Sequence, residues 1–242
     1  MSGHSKWATT KHKKAIIDAK RGKIFTKMAK LVTIAARDGK SGDPSMNPSL
    51  RMAIENAKAA SMPKDNIERA IQRGIGGGNA AAIEEIIYEA YAPGGVALLI
   101  ECLTDNKNRT LGEIKAILNK AGGSLATAGS VGYLFKKIGQ IIIDESKNEK
   151  KGEDLEMVII ESGANDFDKE DGTCVVSCDF ANLHQVRMSL ADAGVIIESA
   201  EPVQEALTLV EQADDKKNSV LNLIDKIDEL DDVSNVFTNL NL

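Results

Sequence analysis

The sequence of 242 residues predicts an α+β protein, with an N-terminal three-helix domain followed by two α+β sandwich domains. Three observations carry this. Apolar residues recur at helical spacing through the first 75 residues, and strand-like and helix-like patterns alternate after them. The remaining stretch of about 160 residues is too long for a single small sandwich. Composition agrees, since 43% hydrophobic residues suffice for buried cores, and 4% aromatics leave those cores to Leu, Ile, Val and Ala.

The first helical pattern runs through Ile16, Ile17, Ile24, Phe25, Met28, Leu31, Val32 and Ala35, as one helix or two broken near Gly22, ending around Asp38-Gly39. Asn47-Pro48 then sets a capping side chain ahead of a proline at the first helical position, with Leu50, Ala53, Ile54 and Ala57 as the inner stripe. Met62-Pro63 repeats that start with a poorer cap, and Ile67, Ala70 and Ile71 carry a third helix to Gly74. Gly74-Ile-Gly-Gly-Gly78 reads as a flexible linker. A phosphate-cradling loop needs a preceding strand and a Gly-Lys-Ser/Thr ending, and this stretch has neither.

Beyond the linker, residues 85–91 and 96–104 read as strands of a hairpin turned by Pro93-Gly94-Gly95. Leu111, Ile114, Ile117, Leu118 and Ala121 mark a helix closed by Gly122-Gly123, and residues 131–135 and 140–144 read as strands. A Lys/Glu-rich stretch over 145–156 leads into a helix through Ile160. A strand over 173–179, a helix over 183–193 and a strand over 195–200 follow. Val220, Leu223, Ile224 and Ile227 mark the last helix, and residues 233–238 the last strand.

The net charge of −6 conceals an uneven distribution. Residues 1–75 carry 16 Lys or Arg against 6 Asp or Glu, a balance of +10, and the rest of the chain carries −16. Such a split suits a part made for a polyanion joined to a part that a polyanion repels and that is free to face a protein partner. Placed at 100° per residue, Lys20, Lys23, Lys27, Lys30 and Arg37 fall within an arc of about 100° beside the apolar stripe. Lys6, Lys11, Lys13 and Lys14 extend the charge toward the start of the chain, and the first glutamate is Glu55. Exposed lysine faces normally interleave glutamates three or four residues apart, so phosphates are the expected partners of this one. Arg21, like Arg37, could fork onto guanine, and Trp7 could stack on a base or pack against the bundle.

Other function classes are disfavoured. The longest apolar run, residues 96–100, is far short of the roughly 20 that span a membrane. No apolar leader precedes the first lysines, so a cytoplasmic protein is expected. Cys174 and Cys178 lie about 13 Å apart along one strand, too far for a disulfide. Neither they nor Cys102 and His184 form a zinc pattern, so no metal and no cofactor is expected. The three histidines, His4, His12 and His184, have no triad spacing, and the acidic pairs Asp214-Asp215 and Asp231-Asp232 read as helix-end capping. The chain is expected not to be an enzyme.

Several motifs together resemble the YebC/PmpR family: Gly3-His-Ser-Lys-Trp7, Lys11-His-Lys-Lys14, Asn47-Pro-Ser-Leu-Arg51, the stretch from Met62 to Ala70, Glu101 to Thr110, Gly129-Ser-Val131 and Leu230-Asp-Asp-Val233. The resemblance spans nearly the whole chain and is weakest over residues 148–206. It implies a third domain inserted into the second, with a basic helical domain over 1–76, a central domain over 80–136 plus 206–242, and an acidic inserted domain over 137–205. It also implies a DNA-binding regulator of transcription in the cytoplasm, or alternatively a translation factor acting on ribosomal RNA or the ribosome. Carried over by position, the nucleic-acid contacts are Lys6, Trp7, Lys11, His12, Lys13, Lys14, Lys20, Arg21, Lys23, Lys27, Lys30 and Arg37. Lys107 and Arg109 are either a secondary contact or part of a turn shaped by helix capping.

Overall fold

Helix α1 (Arg21–Asp38), α2 (Pro48–Ala59) and α3 (Lys64–Ile75) form the N-terminal bundle of the computed structural model, which describes residues 21–76 and 83–241, with side chains from residue 24. The predicted positions Ile16 and Ile17 lie outside the described residues. Helix α1 is described from Arg21 and includes Gly22; the residues before it, on which the choice between one helix and two rests, lie outside the described residues. Val32, Ala36, Leu50, Ile54, Ala57 and Ile67 meet in the bundle core. Asn47 caps α2 as its sequence position predicts, accepting from the Leu50 N–H at 3.0 Å. Its amide also donates to Ala35 O at 2.8 Å, which ties the connecting loop back to α1.

The glycine run corrects one expectation. Helix α3 continues through Gly74 to Ile75 instead of stopping there. A Cβ on Gly74 would lie 2.4 Å from Thr33 O and 2.8 Å from Ala36 Cβ, so this glycine serves the close approach of α3 to α1.

The central sheet is built on the predicted hairpin. Strands β1 (Glu84–Ala92) and β2 (Val96–Thr104) pair antiparallel from Ala92↔Val96 to Glu84↔Thr104. Helix α4 (Lys107–Lys120) and a short β3 (Ser124–Leu125) follow, and α7 (Asp214–Asp228) and β8 (Val233–Thr238) complete this part, with strand order β3-β1-β2-β8. Every residue of β2 except Glu101 is buried, which is why this strand reads as a near-continuous apolar run. Ile114 and Leu118 of α4 and Val220, Leu223 and Ile227 of α7 share that core.

The second sheet has the order β5-β6-β4-β7 and comprises β4 (Phe135–Asp144), β5 (Asp166–Glu170), β6 (Thr173–Asp179) and β7 (Ser199–Ala206), with helices α5 (Glu153–Glu161) and α6 (Leu183–Asp192). Three expectations are corrected here. Residues 132–134 form a 3₁₀ turn, and a single strand then runs through Phe135–Asp144. The strand expected at 195–200 begins at Ser199, because the Ile196 N–H donates to the Asn148 side chain at 2.7 Å and not to a strand. Strand β5, Asp-Phe-Asp-Lys-Glu, was not expected from its polarity, and its ladder to β6 organises it.

The described chain divides into two compact units: residues up to Lys136 with Ala206–Asn241, and Lys137–Glu205. The chain enters the second unit along β4 and leaves it along β7. Among the described residues no helix is long and apolar enough to cross a membrane. The three cysteines are buried and free, and burial pushes the Cys102 and Cys174 thiols up to about 12.

Candidate nucleic-acid interface

The cationic arc of α1 can be followed from Lys27 onward, and its described members are half-buried against groups of this chain. Lys30 Nζ donates to Asp231 O at 2.8 Å, to Leu103 O at 3.1 Å and to Asp232 Oδ1 at 2.9 Å. Three acceptors thus saturate its three donors, and its side chain is only 20% exposed. One turn earlier, Lys27 Nζ donates to Asn235 Oδ1 at 3.1 Å, and Asn235 in turn donates to Glu101 Oε2 at 3.0 Å. Arg37 donates through one terminal nitrogen to Ile83 O and through Nε to Asp38 Oδ1 at 2.8 Å. Groups from β2, β8 and the residues leading into β8 thus meet Lys27 and Lys30, and Arg37 is met by Asp38 of its own helix and by the Ile83 carbonyl ahead of β1. Lys6, Trp7, Lys11, His12, Lys13, Lys14 and Lys20 lie outside the described residues, as do the side chains of Arg21 and Lys23.

Asp232 organises the cluster that receives α1. Its Oδ2 accepts from Arg109 at 2.6 Å and lies within hydrogen-bond distance of the Thr104 and Thr110 hydroxyls, at 3.1 and 2.8 Å. Both threonines are essentially buried, and the Asp232 side chain is 7% exposed. Burial alone would raise this carboxyl. The Arg109, Lys30 and Thr110 donors together outweigh it and hold the group well below the usual carboxylate range. The main chain locks the same corner, since the Leu103 N–H donates to Asp232 O at 2.8 Å. The sequence reading of Asp231-Asp232 as helix-end capping is thus incomplete for Asp232, whose carboxylate joins α1, the end of β2 and the first turn of α4.

The loop over 105–110 is a capped helix start. Asn106 Oδ1 accepts from the Arg109 N–H at 3.1 Å, and Lys107 O accepts from the Tyr88 hydroxyl at 3.1 Å. Lys107 pairs with Glu84 at 2.6 Å and Arg109 with Asp105 at 2.8 Å. Of the two readings left open for this loop, the local geometry is that of capping and ion pairing. Arg109 nonetheless remains 46% exposed.

Gly129-Ser-Val131 also gains a physical reason. Glu89 on β1 accepts main-chain N–H groups from Gly129 at 2.7 Å, Val131 at 2.6 Å and Gly132 at 3.0 Å. Burial raises this carboxyl, but the ring of amides lowers it further, and it ends below its ordinary value. These amides serve a carboxylate instead of a strand neighbour, which is why the predicted strand over 131–135 is a turn.

Cations outside the α1 arc are the exposed ones. Lys40, Lys58, Lys64, Arg69 and Arg73 lie at the surface of the bundle, with Lys64 85% exposed and held only by a loose pair to Glu68 at 3.5 Å. The sequence signal for them was the charge total of the first 75 residues, which a wheel confined to one helix does not resolve.

Comparison with known proteins covers the whole chain. A family model described as the TACO1/YebC protein N-terminal domain matches residues 5–77, and one described as the TACO1/YebC second and third domain matches residues 83–240. A protein of Chloroflexus aggregans is 47% identical over 242 residues, covering 100% of this chain and 96% of its own. One from Caldanaerobacter subterraneus is 45% identical, covering 100% and 99%. Both carry the name probable transcriptional regulatory protein. The crystal structure of a conserved hypothetical protein, Aq1575, from Aquifex aeolicus superposes with a TM-score of 0.86 at 39% identity, covering 93% of this chain and 91% of that one.

Proposed function

Because the chain belongs to the TACO1/YebC family, whose relatives above are named transcriptional regulatory proteins, we propose that it binds duplex DNA and regulates transcription without catalysis. The observation that carries this reading is the balance of +10 on the first 75 residues. The cations that would grip phosphates are Lys6, Lys11, Lys13, Lys14, Lys20, Arg21 and Lys23, with Trp7 and His12 beside them. Lys40, Lys58, Lys64, Arg69 and Arg73, exposed on the bundle, add to the positive charge of this domain. Lys30 is left out of the phosphate-gripping surface, because its three donors are already engaged, whereas Lys27 and the 38% exposed Arg37 stay among the cations of this surface. Phosphate contacts of this kind give affinity and position, and sequence preference would come from few base contacts or from DNA shape.

The division of labour follows from charge. A basic domain over 1–76 holds the nucleic acid, while a central domain over 80–136 plus 206–242 and an inserted domain over 137–205 carry the acidic excess and face protein partners in the cytoplasm. No cofactor enters this reading.

The test is a duplex-binding assay at low salt with Lys13→Glu, Lys14→Glu and Lys23→Glu combined. Binding should fall at least tenfold, and the slope of log K against log salt should flatten by up to about 2.7 for three lost duplex contacts. Unchanged binding would place the interface elsewhere. Competition by ribosomal RNA at equal mass where random DNA does not compete would overturn the DNA reading in favour of a ribosomal one.

A further inference from the structure

Asp232 draws cationic and hydroxyl donors from three elements onto one carboxylate. One buried carboxylate receives an ammonium on Oδ1 and a guanidinium on Oδ2, at 2.9 and 2.6 Å, with two threonine hydroxyls completing the shell. Lysine, arginine and hydroxyl donors converging on an oxyanion are the groups that proteins offer to a phosphate oxygen. Arg109 meets both Asp105 and Asp232 through the same terminal nitrogen, and its half-exposed side chain lies at the edge of the cluster. Lys30 sits on a flexible four-carbon stem at the border of the bundle.

We propose that Asp232 is an internal competitor for phosphate: it withholds Lys30 and Arg109 from the nucleic acid and so limits how many backbone charges the protein neutralises. This rests on the nucleic-acid reading above and specifies how the grip of that site is restrained. Lys30 is surrounded by acceptors of this chain and Arg109 is ion-paired to two carboxylates, so neither charge is offered to the salt-dependent grip while Asp232 is in place. Removing its charge leaves a largely buried ammonium beside carbonyl groups alone, and the side chain swings outward on its stem to meet solvent or phosphate.

The full chain is titrated with a short labelled DNA duplex across a salt series, and the readout is the slope of log K against log salt. In Asp232→Asn the slope steepens by up to about 1.8, from two added contacts at roughly 0.9 each. The loss of affinity between about 50 and 200 mM salt then grows about tenfold over wild type. Lys30→Met and Arg109→Gln, each in the native background, leave the slope at its wild-type value. Added together to Asp232→Asn, they return the slope to wild type, a reversal that a merely structural carboxylate does not produce. The proposal is overturned if either single-cation variant flattens the native slope by about 0.9, or if folded Asp232→Asn keeps the wild-type slope. Should Asp232→Asn not fold, as judged by circular dichroism, Asp232→Ser takes its place in the same salt series, with the same supporting and overturning slopes. If wild type binds no duplex even at low salt, the functional reading falls and takes the inference with it. Binding with a slope indifferent to Asp232 removes the inference alone.

Discussion

Two carboxylates, Glu89 and Asp232, are both held below their ordinary pKa, and they are held by opposite means. Glu89 is ringed by main-chain amides from one turn, residues 129–132. Asp232 is gripped by side chains from α1, β2 and α4, two of them cationic. An amide ring is neutral and fixed by peptide geometry, so losing Glu89 costs hydrogen bonds and loosens one turn. A cationic shell is a charge balance, so losing Asp232 strands charges contributed by distant segments. The lesson is that pKa shifts of the same sign can mark a local clamp in one place and a long-range joint in another.

The largest expected effect tests that joint. Asp232→Ala should destabilise the chain by about 3–5 kcal/mol in urea denaturation at neutral pH, because it removes the charge that holds Lys30 and Arg109 together and takes that partner from the buried Thr104 and Thr110 hydroxyls. Loss below about 1 kcal/mol would mean that Asp232 holds no long-range joint, and the contrast is lost. The same contrast has a pH form. A carboxyl with a depressed folded pKa stabilises the fold above its unfolded value, near 3.9 for Asp and 4.3 for Glu, and that stability disappears as pH falls toward the folded value. Wild type should therefore weaken progressively below about pH 4, and Asp232→Asn should remove more of that acid dependence than Glu89→Gln does. Equal flattening by both variants would erase the distinction.

Glu89→Gln comes next, at about 1–3 kcal/mol, with faster amide exchange confined to residues 129–132. Protection lost in α1 as well would show that the Glu89 turn is also long-range. Gly129→Ala should cost about 1–2 kcal/mol, since Gly129 adopts φ +85° to aim its N–H at Glu89. Gly132→Ala should change stability by less than about 0.5 kcal/mol, because its Cβ would meet Glu89 Oε1 at an ordinary 3.4 Å. A larger loss there would mean that the turn has no slack.

Elements with a local cause were legible in the sequence. The Asn47 cap, the hairpin around Gly94 and the strands Thr173–Asp179 and Val233–Thr238 follow from residues a few positions apart. What the sequence did not disclose depends on partners far along the chain. Gly74 reads as a breaker because a run of three glycines begins two residues later, whereas its reason is the Thr33 carbonyl of another helix. Strand β5 is too polar to read as a strand and is made one by its neighbour β6. For the candidate site the limit is sharper. A helical wheel shows that Lys27, Lys30 and Arg37 share a flank, but the groups that meet them include Asn235 and Asp232, some two hundred residues downstream. Uncompensated charge within a segment is thus evidence of a partner, and the sequence leaves open whether that partner is external or another part of the same chain.

The separation of Lys30 from Asp232 also has a consequence in time. A ribosome releases α1 and the β1–β2 hairpin long before it reaches β8, the edge strand of the central sheet. Throughout that interval Lys30 and Arg109 have no Asp232 to meet, and the nascent chain presents a more cationic surface than the finished protein does. Maturation of the last strand is therefore also the step that quiets the first helix, so that vectorial synthesis gives the young polypeptide an electrostatic character that it loses on completion.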